Sequence, residues 1–159
     1  MQQDAQEFNK LLLSFLEDLD PKVRNLVESQ FRGEFRYRTT CSACGKDSAS
    51  SRNRIPFYEL ELNVQGLKSV EESLRQYTCS ETLEGVECET CAAKHDAARS
   101  IALCSLPPVL CLHVKRFEHF PGAGQARKVT SRLQFPLECD IALGVGGVLD
   151  AWISLEEIH

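Results

Sequence analysis

The sequence predicts an α+β fold, with helices gathered at its start and strands carrying most of the remainder. Three observations predict it. Residues 4–19 repeat apolar side chains at helical spacing, and residues 57–64 alternate apolar and polar as a half-buried strand does. Two Cys-x-x-Cys pairs, Cys41/Cys44 and Cys88/Cys91, stand forty-three residues apart, a spacing that joins distant parts of one chain.

Taken in order, the first helix over 4–19 places Phe8, Leu11, Leu12, Phe15, Leu16 and Leu19 on one face, with Lys10, Glu17 and Asp18 elsewhere. Asp4 and Glu7 have capping-box spacing at its start. Pro21 permits a turn, and residues 22–30 read as a second short helix. Phe31 to Thr40 alternates into the first cysteine pair as a strand. Tyr58, Leu60, Leu62 and Val64 against Glu59, Glu61 and Asn63 give the clearest alternation in the chain. Residues 69–77 form a short amphipathic helix. Arg99–Cys104 and Val109–Phe117 read as strands separated by Pro107 and Pro108, the second apolar on both faces and so expected to be covered on both sides. A polar, glycine-containing loop is expected over 118–132, with a further extended piece from Leu133 to Pro136.

At 159 residues the chain is about one domain's worth, with an apolar fraction of 43% and a charged fraction of 26%. No apolar run approaches the ~20 residues that span a bilayer, and the amphipathic start lacks the pattern of a signal peptide. A net charge of −5 argues against nucleic acid as the main partner. The sign varies along the chain. Residues 32–54 hold six bases (Arg32, Arg36, Arg38, Lys46, Arg52 and Arg54), and residues 59–91 hold eight glutamates. A metal joining the cysteine pairs would set the basic arm beside the acidic one. Solvated surface charge is the plain account of both, and an acidic surface offered to a basic protein is the sharper one.

Four thiolates delivered as two close pairs match the all-sulfur tetrahedral shell of structural zinc. Two unrelated thiol pairs, or disulfides in a secreted protein, are the alternatives. Eight cysteines without a secretory segment favour a reducing compartment, nucleus or cytoplasm, and therefore zinc on Cys41, Cys44, Cys88 and Cys91. His95 and Cys79 rank below these four as ligands. Cys104, Cys111 and Cys139 sit in apolar or strand-like settings that suit buried thiols. His113 lies inside a strand, His119 in the loop after it, and His159 ends the chain. None of these is placed for catalysis.

Several separate motifs, in order, resemble the ubiquitin-specific proteases, the papain-like ubiquitin carboxyl-terminal hydrolases. They are Gln2-Gln3-Asp4-Ala5-Gln6-Glu7-Phe8, the two cysteine pairs, Leu106-Pro107-Pro108-Val109-Leu110 running into Lys115-Arg116-Phe117, and Phe135-Pro136-Leu137. The match covers about residues 2–141. Tyr58–Val64 and Leu83-Glu84-Gly85 further resemble a nuclear, histone-acting subgroup. The resemblance implies a thumb–fingers–palm architecture: thumb helices in 1–30, zinc-bearing fingers in 31–104, palm strands in 105–141, then a divergent tail over 142–159. It implies ubiquitin and ubiquitinated proteins as partners, without nucleic acid or membrane. The implied reaction is thiol-dependent hydrolysis at ubiquitin's C-terminal glycine.

That chemistry needs a thiolate nucleophile and a histidine to activate it. The family's cysteine box precedes the Gln-Gln-Asp segment, and its histidine strand comes after the residues matched here. Neither has a counterpart in this sequence. The expectation is an internal fragment of a larger enzyme, with the frame of the active site and without its reacting groups. By the same resemblance Asp4 and Glu7 meet ubiquitin's arginine-bearing tail, Gln3 and Gln6 add polar contacts, and the loop after Phe117, with Gly122 and Gly124, lies over the tail channel. Two rivals remain: a non-catalytic ubiquitin-binding module on the same frame, and a zinc-ribbon scaffold that binds nucleic acid. The acidic stretch speaks against the latter.

Overall fold

The computed structural model describes residues 5–119, 126–136, 138–142 and 150–154. The chain opens with helices α1 (Ala5–Leu19) and α2 (Pro21–Phe31). Asp20 separates them. Its carboxylate accepts from the Lys22 amide at 2.7 Å, and Pro21 takes the first helical position, where a missing N–H costs nothing. The expected turn at Pro21 is thus the start of α2, and Phe31, read as strand, closes that helix.

The apolar face of α1 is not the one that the rest of the molecule covers. Phe8, Leu11, Phe15 and Leu19 are 57–65% exposed, and Leu13 is the residue that α1 buries. Helical spacing fixes which residues share a face but not which face the rest of the molecule covers. Here the polar side meets the sheet.

Strand β1 (Gly33–Cys41) continues from α2. It pairs with β2 (Ile55–Phe57) on one side and with the long β5 (Ala93–Ser105) on the other. The remaining member is β4 (Glu81–Cys88), which completes an antiparallel sheet of order β2-β1-β5-β4. Of β5, expectation placed only Arg99–Cys104 in a strand, and β4 was not foreseen. Because β5 lies between them, the acidic β4 and the basic β1 are not neighbours. The bases find partners in their own arm: Arg32 and Arg54 on Glu34, Arg38 on Asp47 at 3.0 Å.

A second sheet pairs β3 (Glu59–Asn63) in parallel with β6 (Cys111–Lys115). Helix α3 (Val70–Thr78) covers one of its faces. The Ser69 hydroxyl accepts from the Glu72 amide at 3.2 Å while Glu72 accepts from the Lys68 amide at 2.6 Å, a reciprocal cap. The core forms there from Phe57, Leu60, Leu62, Val64, Val70, Leu74, Leu103 and Leu133. Leu112 and Val114 pack on its edge, whereas Cys111 and His113, at alternate positions, take the opposite face. That opposite face is polar, not the apolar surface expected. Within the expected loop over 118–132, β7 (Phe117–His119) pairs with β8 (Ala126–Lys128), while residues 120–125, with Gly122 and Gly124, lie outside the described residues. Strand β9 (Glu138–Ala142), at the end of the segment read as palm, pairs antiparallel with β10 (Asp150–Ser154), in the segment read as a tail.

Candidate functional site

The two cysteine pairs converge. Sγ atoms of Cys41, Cys44, Cys88 and Cys91 all lie within 4.8 Å of one another, with Cys44 and Cys88 3.7 Å apart. Cys41 ends β1, and the chain then doubles back: the Gly45 amide donates to the Cys41 carbonyl at 2.9 Å and the Cys41 amide to the Lys46 carbonyl at 3.0 Å. Gly45 turns this corner at φ +69°, which glycine adopts without a Cβ penalty. The second pair is built alike between β4 and β5. There the Ala92 amide donates to the Cys88 carbonyl at 2.9 Å, and Ala92 holds φ +50°. A bond from the Ser42 amide to the Asp96 carbonyl, 2.9 Å, ties the first turn to β5.

The electrostatics fit a dication. Amides of Cys91 and Thr90 draw the Cys88 thiol down to about 7, so a thiolate forms readily there. The adjoining sulfurs of Cys44 and Cys88 hold Cys91 up to about 12, because a second negative charge beside the first is opposed. A cation at the centre removes that opposition. Four soft donors at this spacing, each pair on a tight turn, are the donor set of structural zinc.

His95 lies on β5 opposite Val86 and is not among the four converging groups. Cys79 caps α3 and is exposed. Cys104 is half-buried, its thiol 3.6 Å from the Ala102 carbonyl. Cys111 is half-buried on β6, and burial raises its thiol above the ordinary range. The side chains of Cys139 and His119, and all of His159, lie outside what the structure describes, as do Gln3 and Asp4. Glu7 is exposed on the first turn of α1.

A second polar group was not foreseen. Glu59 and Glu61 on β3 and His113 on β6 bring ligand atoms within 4.8 Å of one another. Cations already serve both carboxylates: Lys10 Nζ is 2.8 Å from Glu59 and Lys115 Nζ 2.8 Å from Glu61. Gln6 donates to both. Lys115 and Gln6 hold the Glu61 carboxyl below its ordinary value. The signal was present in the strict Glu-Leu-Glu-Leu alternation of β3, read as core side against solvent side. Nothing in the sequence said that α1 covers the acidic side.

A family model described as ubiquitin carboxyl-terminal hydrolase matches residues 1–149. Ubiquitin carboxyl-terminal hydrolase 26 of Oryza sativa is 41% identical over 149 residues, covering 89% of this chain and 14% of that protein. Ubiquitin carboxyl-terminal hydrolase 48 of Gallus gallus is 43% identical over 142 residues, covering 84% of this chain and 14% of its own length. The chain thus spans about a seventh of these curated relatives. Among solved structures, a chain of the SAGA DUB module bound to monoubiquitin superimposes with TM-score 0.75 at 30% identity, over 88% of this chain and 33% of that one. The module bound to ubiquitin aldehyde gives TM-score 0.76 at 25% identity, over 89% of this chain and 32% of that one. The helical start, the four-cysteine turns and the parallel β3–β6 pair therefore belong to a member of the ubiquitin carboxyl-terminal hydrolase family.

Proposed function

We propose that this chain is the ubiquitin-holding centre of a thiol-dependent deubiquitinase, one that hydrolyses the bond after ubiquitin's C-terminal glycine. The observation that carries this is the match, over 88% of the chain, to a module solved with monoubiquitin. In this reading residues 1–30 are thumb, 31–104 fingers and 105–141 palm. Cys41, Cys44, Cys88 and Cys91 would hold one zinc, which when bound supplies a cross-link between the two finger arms. Asp4 and Glu7 at the start of α1, with Gln3, meet ubiquitin's basic tail through charge-assisted hydrogen bonds. The setting is intracellular, nuclear or cytoplasmic, where ligand thiols stay reduced.

Among the described residues, four thiols face one another, Cys104 and Cys111 are half-buried, and Cys79 closes α3 through its backbone amide with its thiol exposed. The expectation is that the chain by itself binds ubiquitin and does not cut it. The test is a titration of the zinc-loaded chain with ubiquitin, beside a thiol-reactive ubiquitin probe. The expected result is saturable binding without a covalent adduct, and Asp4→Asn weakens binding about tenfold or more at unchanged melting temperature. Asn caps a helix about as well as Asp, so that substitution removes the charge and keeps the cap. Absence of binding, or an adduct abolished by one Cys→Ala change, would overturn the reading.

A further inference from the structure

Helix α1 meets the β3–β6 sheet through one stripe of side chains: Gln6, Lys10, Leu13 and Glu17, three or four residues apart and so on one helical face. Apart from Leu13 the stripe is polar. Lys10 Nζ reaches Glu59 at 2.8 Å and Glu61 at 3.8 Å, and Gln6 donates to both carboxylates. At the other end the Tyr58 hydroxyl donates to Glu17 at 2.6 Å. The two glutamates lie two residues apart on β3, facing the same way, so their charges repel unless a cation stands between them. Glu59 is 11% exposed, too deep for water alone to satisfy it. A cavity of about 140 Å³ lies along the same joint, lined in part by Asn9, Leu13, Ser14 and Tyr58. Apolar packing against the sheet therefore does little to fix where α1 sits on it.

We infer that Lys10, shared between Glu59 and Glu61, is a positioning residue that sets the height and rotation of the α1 start over the β3–β6 sheet. The inference rests on the proposed function, in which that start meets ubiquitin's tail. Gln6 and Lys10 bracket Glu7. A helix turns 100° per residue, so a slip of one position would swing Glu7 to another side of the molecule. Two contacts one turn apart on the same pair of carboxylates forbid both the slip and the roll. Exposed ion pairs elsewhere carry no such geometry: Arg24–Asp18 at 3.9 Å and Arg75–Glu71 at 3.7 Å join groups along or between the helices and fix no helix on a sheet.

The experiment titrates the zinc-loaded chain with intact ubiquitin and with ubiquitin lacking its C-terminal tail. The variants are Lys10→Met, which keeps length and helix propensity, and the exchange Lys10→Glu with Glu59→Lys. Hydrogen exchange of the amides in α1 is followed alongside. Lys10→Met is expected to weaken binding of intact ubiquitin at least fivefold and leave tail-less ubiquitin unchanged. Amides in the first two turns of α1 exchange faster, and the charge exchange restores intact binding to within about twofold. If the parent chain does not distinguish the two ubiquitins, the tail reading itself falls. If the parent distinguishes them and Lys10→Met distinguishes them by the same factor, only the positioning role of Lys10 falls. Equal weakening of both forms makes Lys10 a general stabiliser and overturns the inference.

Discussion

Ala92 and Gly45 occupy the same place in their respective cysteine turns, one residue past the second thiol, and both lie at positive φ. Gly45 sits there freely. Ala92 does so against the clash between its Cβ and the neighbouring carbonyl, which costs roughly 1–2 kcal/mol. No neighbouring atom lies within 4 Å of where a Cβ on Gly45 would be, so the conformation alone decides what substitution does there. Ala92→Gly is expected to tighten zinc binding about fivefold, and Gly45→Ala to loosen it by a similar factor. Competition against a chromogenic chelator reads both. Weaker binding in Ala92→Gly would show that the turn is not under this strain. The cysteines themselves were legible from their spacing, since the metal dictates residue type. The backbone angle of Ala92 was not, because alanine carries no signal for that region.

Among the elements, α3 and β3 match the sequence pattern closely because each presents one apolar and one polar side at its own period. β4 escaped for a definite reason. Its register on β5 shifts between Leu83 and Val86, where Gly85 takes φ +64°, so its inward residues are spaced three apart and then two. The near half of β5, Ala93–Ala98, has weak strand character and is a strand because β1 and β4 hold it from both sides. The joint between α1 and β3 should respond to pH at both extremes. Glu61 titrates below its ordinary 4.5, chiefly through Lys115, then Gln6, with Lys10 adding charge. Its contribution is whole above 4.5 and disappears as pH falls through the lowered value. Tyr58 is raised from 10.0 to about 12 by burial first and then by its bond to Glu17, with Glu28 adding to the shift and Arg32 opposing it. That contribution is whole below 10 and disappears as pH climbs through 12. Exchange rates of α1 amides, corrected for intrinsic rate, should be flat between these limits and rise outside both. A slope across neutral pH would disprove the assignment.

Over the whole molecule, the metal turns and the apolar core sit at opposite ends of β1. Cys41 closes that strand, and Gly33 opens it against Phe57 of the core. Chelation of zinc should therefore release the turns and the adjoining stretches of β4 and β5, while Leu60, Leu62, Val70 and Leu74 keep their protection. Amide exchange mapped by residue checks this, and uniform loss of protection would mean that the core does not stand without the metal. The molecule's charge was legible in sum but not in arrangement. Lys10 neutralises Glu59 from 49 positions away and Lys115 neutralises Glu61 from 54, pairings that no local pattern announces. The long β1–β5 ladder also has a consequence for the order of assembly. The β3–β6 pair is parallel and closes the whole segment 64–110, an entropically slow step if taken first. If a metal joins the turns, the ladder can zip from Cys41↔Ala97 to Glu34↔Ser105, which delivers the end of β5 to the far side of β1 from β2. Only the short runs from Phe57 to Glu59 and from Ser105 to Cys111 then remain to be closed. A metal held by the four cysteines would thus act as a nucleus whose early binding turns one distant encounter into a series of near ones.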